Sequence, residues 1–265
     1  MITTLLFALA GAIGPAPLAA SPLATPPLAA ALDTLRLEVG SPEVDGRVFP
    51  AHLARNRVYV EPGAGPVNTW TNELSVGDSA GGPVMRWITR GVRLGPEGAG
   101  STWELHQTYD ARTLAPLTYF RTGSDGSSMR LRIEGTRVRG ERRAPGSGPT
   151  GIDWTIDRPA FFAGASDLIP MAVGLTAGAV MTAPVWSPGM ERPELRVFEV
   201  LEEVSVRVEG TEVVAWRVEE RLHATGLLLA TWYLTDRSPY MVLGEVPLSD
   251  GGVQRITGVD LDGGR

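Results

Sequence analysis

The feature that most constrains this chain is a two-residue alternation of apolar and polar side chains, repeated from about residue 57 onward and interrupted by glycine-bearing turns. Ser128–Glu134 is the clearest case: Met129, Leu131 and Ile133 fall on one side, Arg130, Arg132 and Glu134 on the other. Successive Cβ atoms of a strand point to opposite faces, so this pattern makes a half-buried strand. In Thr102–Tyr109, Trp103, Leu105 and Tyr109 share one face, and Glu104, His106 and Thr108 share the other.

The turns support the same reading. Gly123-Ser124-Asp125-Gly126 separates Leu117–Thr122 from Ser128–Glu134, and Asp-Gly tolerates the positive φ of a tight hairpin turn. Gly135-Thr136 leads into Arg137–Glu141, which completes a predicted meander. Further strands are predicted at Arg57–Glu61, Thr69–Val76, Val84–Leu94, Ile152–Asp157, Ala179–Trp186, Glu194–Glu209, Glu212–His223, Leu227–Asp236, Tyr240–Pro247 and Gly252–Leu261. Asp33–Val39 suits either one helical turn or a short strand. Leu195 and Val197 are odd-numbered inward candidates while Val204, Val206 and Val208 are even, which predicts a bulge near Glu202-Glu203.

One helix is predicted, from about Leu168 to Leu175, with Asp167 as its cap and Pro170 in the tolerated first turn. The stretch from Phe161 to Leu175 is the most continuously apolar of the chain beyond its first residues, so it packs against the sheet. The fold class is therefore mostly β: an antiparallel curved sheet or unclosed β-barrel with one short helical insertion.

The first residues read as an address. Ile2–Ile13 is apolar over the length of a signal-peptide core and short of the about 20 residues a membrane helix needs. Small residues around Ala20 offer a cleavage site. The predicted organisation is a signal peptide over residues 1–20, a Pro/Ala-rich linker and irregular lead-in over 21–56, and one barrel-like domain over 57–265. Export to the periplasm or the medium follows, and no later stretch is predicted to span a membrane.

Composition excludes several chemistries. The chain has no cysteine, so disulfides, thiolate metal sites, cysteine nucleophiles and a lipidated cysteine are ruled out. All 24 basic residues are arginine, but the net charge is −6 and acids interleave with them. Arg139, Arg142 and Arg143 enclose Glu141 and read as a solvated loop, so no nucleic-acid partner is predicted. His52, His106 and His223 stand apart, none with a second His or an acid two residues along that would build a metal site, so neither metal nor cofactor is predicted. Gly77-Asp78-Ser79-Ala80-Gly81 superficially resembles a serine-protease motif. Its activating His would have to be His52, only 27 residues earlier, and a Gly/Ser turn is the simpler account. The carboxylates of Glu202-Glu203 and Glu219-Glu220 face apart on strands and read as exposed or bulge charges. No catalytic residue is predicted.

What remains is aromatic. Trp70, Trp87, Trp103, Trp154, Trp186, Trp216 and Trp232 are spread one to a strand, which either packs a core or lines a cavity beneath the Phe161–Leu175 segment. The predicted ligand-lining set is Trp103, Tyr109, Phe161, Phe162, Leu168, Met171 and Trp232, with a lipid or other apolar small molecule as ligand. The alternatives are an interaction module with a filled core and a hydrolase built on Ser79.

Asp110-Ala111-Arg112-Thr113-Leu114-Ala115-Pro116-Leu117 lies between two strands and is followed by the Asp125-Gly126 hairpin. Trp216-Arg217-Val218 and Trp232-Tyr233-Leu234-Thr235-Asp236 come later. Over roughly residues 68–261 this pattern resembles an exported bacterial domain of unknown function. The half-barrel that the resemblance implies is similar to that of the periplasmic lipoprotein carriers and their outer-membrane receptors, in which a curved sheet wraps a helical plug around acyl chains.

Overall fold

The computed structural model describes residues 34–63, 65–79, 81–94 and 100–261. The predicted signal peptide and the Pro15–Ala31 stretch lie outside them. Sixteen strands occur among the described residues: β1 (Leu35–Arg36), β2 (His52–Glu61), β3 (Pro66–Ser79), β4 (Gly82–Arg93), β5 (Thr102–Asp110), β6 (Pro116–Gly123), β7 (Ser128–Glu134), β8 (Arg137–Arg143), β9 (Pro149–Thr155), β10 (Phe161–Phe162), β11 (Val180–Trp186), β12 (Glu194–Val208), β13 (Thr211–Leu222), β14 (Leu228–Leu234), β15 (Met241–Pro247) and β16 (Val253–Asp260). The helix α1 spans Leu168–Val173, all but its last residue buried.

All sixteen belong to one sheet. Neighbours in the chain pair antiparallel from β2 to β9 and from β11 to β16. The two runs are joined by β2 and β16, whose register runs from Ala54↔Asp260 to Glu61↔Val253. Parallel pairs from β1 and β10 add to β11. Among the described residues no ladder joins β9 back to β11, so the barrel stays unclosed. Its two ends instead meet through side chains, Trp154 of β9 standing edge-on to Trp186 of β11 at 6.5 Å between ring centroids.

The β10–α1 segment plugs the interior. Phe162 stacks on Trp186 at 6.2 Å and meets Tyr109 at 5.9 Å and Tyr119 at 5.8 Å. These rings come from β5, β6 and β11, so one side chain ties both halves of the sheet. Gly174, at φ 109°, ends the helix at Val173, two residues before the predicted Leu175.

Two local expectations need correcting. Leu37, Val44 and Phe49 are buried in the main core, so the packed domain starts well before Arg57. The bulge of β12 is present, with register lost between Val200 and Glu203. The inward residues ahead of it are Arg196, Phe198 and Val200, not Leu195 and Val197. The extra residue flips the strand. Beyond it, Val206 and Val208 join Val213, Ala215, Tyr233, Val242 and Leu243 in a separate apolar cluster.

Candidate functional site

Inside the curve, next to the β10–α1 plug, the sheet leaves a cavity of about 190 Å³. Trp70 of β3, Trp87 of β4, Trp103 of β5 and Trp232 of β14 supply indole walls, with Leu105, Met241, Val246 and Ile256 between them. Cross-strand glycines make room for two of these indoles. Gly91 is the register partner of Trp103, and a Cβ placed on it would lie 2.2 Å from the indole. Gly244 pairs with Trp232, and a Cβ there would lie 2.7 Å from that ring. Each tryptophan therefore lies down across the neighbouring strand.

The floor is polar. Glu220 of β13 is almost completely buried, and its two oxygens take three donors: Arg196 Nη1 at 2.5 Å, Trp232 Nε1 at 2.8 Å and Ser166 Oγ at 3.1 Å. Register explains the set. Glu220 pairs with Phe198 and Ala230, so Arg196 on β12 and Trp232 on β14 are its diagonal neighbours on the same face. Arg196 also reaches Glu194 at 3.5 Å. A buried carboxylate needs such neutralisation, because an unpaired charge in a low-dielectric interior is costly.

Asp167 stands at the start of α1, but its side chain makes no capping hydrogen bond, contrary to the role read from sequence. It lines the cavity instead. Burial pushes its carboxyl up to about 7, with the charge of Glu220 adding to the effect. Burial likewise raises the phenol of Tyr109, the charge of Asp167 adding to it, and the Tyr109 hydroxyl has no hydrogen-bond partner among the described residues. Higher on the wall, Thr89 Oγ1 donates to Asn72 Oδ1 at 2.8 Å. Gln107 and Gln254 line the same space, each more than nine-tenths buried.

Of the seven predicted lining residues, Trp103 and Trp232 line this cavity. Tyr109, Phe161, Phe162, Leu168 and Met171 are instead buried in the core around the plug. Glu220 corrects the reading of Glu219-Glu220 as exposed charge: the two do face apart, Glu219 binding Arg221 at 2.5 Å, but Glu220 faces inward. Its signal was its phase, since it falls in step with Trp216 and Val218.

The other sequence candidates lie elsewhere. Ser79 sits in the β3–β4 turn and donates to the carbonyl of Gly82 at 3.0 Å. His52 pairs in register with Leu74, five residues from Ser79, which places the two about 17 Å apart along the strand. His106 faces outward and reaches Glu104 at 3.0 Å, so one histidine does have an acid two residues away. Among the described residues no group of three metal-ligating side chains gathers, and no helix is long and apolar enough to cross a membrane.

No protein-family model matches the chain, and no curated protein is similar to it. Two solved structures match it at low identity. One is a β-barrel-like protein of the domain of unknown function DUF1849 from Brucella abortus, 8% identical, with a TM-score of 0.46, covering 79% of this chain and 98% of that one. The other is a DUF1089 family protein from Pseudomonas aeruginosa, 8% identical, with a TM-score of 0.32, covering 71% of this chain and 87% of that one. Neither is described as a lipoprotein carrier.

Proposed function

We propose that this chain is a non-catalytic, exported binding protein that takes a lipid or other apolar small molecule in its indole-walled cavity. The observation that carries the reading is the seating of Trp103 on Gly91 and Trp232 on Gly244. Aromatic rings that only filled a core would stand up into it, whereas these lie along the wall and leave space between wall and plug. A dry apolar cavity of about 150 Å³ is large enough to hold benzene. The 190 Å³ here suits one ring or the end of an alkyl chain.

The polar floor agrees with such an occupant. Glu220 is neutralised by Arg196 and fully hydrogen-bonded, and Asp167 keeps its proton up to about pH 7. Ser166, the one serine beside these acids on the plug, spends its hydroxyl on Glu220. Export rests on the apolar run Ile2–Ile13.

An uncharged aromatic probe, N-phenylnaphthylamine, tests the reading. Saturable probe emission with energy transfer from the indoles is expected for the wild type, and weaker uptake for Trp103→Ala and Trp232→Ala. No uptake by the folded wild type, with no small molecule retained in native mass spectrometry, would leave a filled interaction module as the better account.

A further inference from the structure

We infer that the ligand is an anionic amphiphile, its apolar end in the indole cavity and its carboxylate or phosphate head against Arg121 and Arg142 at the cavity mouth. This inference rests on the binding role proposed above and names the class of molecule bound.

A wider recess of about 680 Å³ adjoins the cavity, and Trp103 and Ser187 line both. A ligand longer than one ring has this recess as the neighbouring space on the Trp103 and Ser187 side. Its walls include Arg93, Arg121, Arg142 and Arg143. Register shows that two of them face inward. Leu105, buried in the core, pairs with Arg121; Arg121 pairs with Met129, and Met129 with Arg142. Directly opposed residues share a face, so Arg121, Met129 and Arg142 stand side by side on the concave side of the sheet. Two strand spacings separate the arginine backbones by about 10 Å, which two long guanidinium side chains can close upon one anion.

These arginines lack the partners that most arginines here have. Arg90, Arg137, Arg196, Arg221 and Arg255 each sit within 3.1 Å of a carboxylate. Among the described residues, neither Arg121 nor Arg142 forms an ion pair. Asp125 also lines the recess, but its Oδ1 is taken by the Ser127 amide at 2.9 Å and the Ser127 hydroxyl at 2.6 Å. Arg121 hydrogen-bonds the neutral phenol of Tyr119 and lies near Asp125, yet neither it nor Arg142 is ion-paired among the described residues, so in a chain of net charge −6 this concave mouth is a local reversal of sign. It adjoins an apolar cavity, and an amphiphile matches both halves.

Displacement of bound N-phenylnaphthylamine tests this, with octyl phosphate, octanol, octyltrimethylammonium and inorganic phosphate as competitors. Octyl phosphate is expected to displace the probe at a concentration roughly tenfold below that of octanol, the worth of one charge-assisted contact. The cation should be weaker than octanol, and high salt should narrow the gap. The double variant Arg121→Gln/Arg142→Gln should lose the preference for octyl phosphate while octanol displacement stays unchanged. Equal displacement by all three octyl compounds, or a preference untouched in the double variant, would overturn the inference and leave the binding role intact. Displacement by inorganic phosphate as effective as by octyl phosphate would overturn it in favour of a simple anion site. Absence of probe uptake by the wild type would overturn both.

Discussion

Trp103 lies across its cross-strand partner Gly91 so closely that a methyl group on the glycine would fall 2.2 Å from the indole. Contacts that short do not exist, so any side chain at Gly91 must tip Trp103 away from the wall and into the cavity. Gly91→Ala is expected to cost about 1–3 kcal/mol, the range for an overpacked site, despite alanine's better strand propensity. It should also shift tryptophan emission and lower probe uptake. Urea unfolding with fluorescence detection reads the first two together. An alanine variant as stable as the wild type, with the same emission, would mean that Trp103 is not held on the glycine.

Most of the strands were legible because alternation and turns are local. Ser128–Glu134 was bounded to the residue, and the phase break of β12 was visible in its valines. The site was not legible, because it depends on pairing between distant strands. Arg196 and Glu220 meet only through the β12–β13 register, which the bulge resets by one residue. Position along the strand matters as much as face. Trp103 and Tyr109 share a face of β5, yet six residues place them about 20 Å apart, one at the cavity and the other beneath Phe162. The join between β2 and β16 had no local signal either, since it brings together segments from opposite ends of the chain.

The Arg196–Glu220 pair should behave as a buried unit. Removing only the cation, in Arg196→Met, strands a carboxylate in the interior and is expected to cost about 3–5 kcal/mol. Glu220→Gln should cost less, because the amide oxygen still accepts from Trp232 and Ser166, and Arg196 keeps Glu194 at 3.5 Å. The double variant should recover much of the loss of Arg196→Met. A double-mutant cycle by denaturant unfolding measures the coupling, and strict additivity of the two single changes would refute a shared role.

Phe162 links the two halves of the unclosed sheet, next to the Trp154–Trp186 contact at its seam. Its contacts to Tyr109 and Tyr119 on β5 and β6, and to Trp186 on β11, tie together the two sides between which no ladder from β9 to β11 forms among the described residues. Phe162→Ala is expected to lose about 3–5 kcal/mol, as for other large core truncations. The loss should also be local. Amide hydrogen exchange should accelerate in β9 and β11 more than in the β2–β16 ladder. Uniform acceleration across the sheet would show that the plug supports the fold without closing the seam.

Asp167 sets how stability and pH are linked. Its carboxyl titrates near 3.8 in an unfolded chain and near 7 in the folded protein. Between those values the folded state holds a proton that the unfolded state has released, so stability falls as pH rises from about 4 to about 7 and then levels off. The full difference is on the order of 4 kcal/mol. Asp167→Asn keeps the neutral shape at every pH. The variant should match the wild type near pH 4 and exceed its stability above about pH 7, where the wild type carries a charge beside Glu220. Urea unfolding of both proteins across this range gives the difference directly, and titrations of other carboxylates cancel in the comparison. A difference that does not grow with pH would mean that Asp167 is ionised throughout, and that the cavity floor is charged when the ligand arrives.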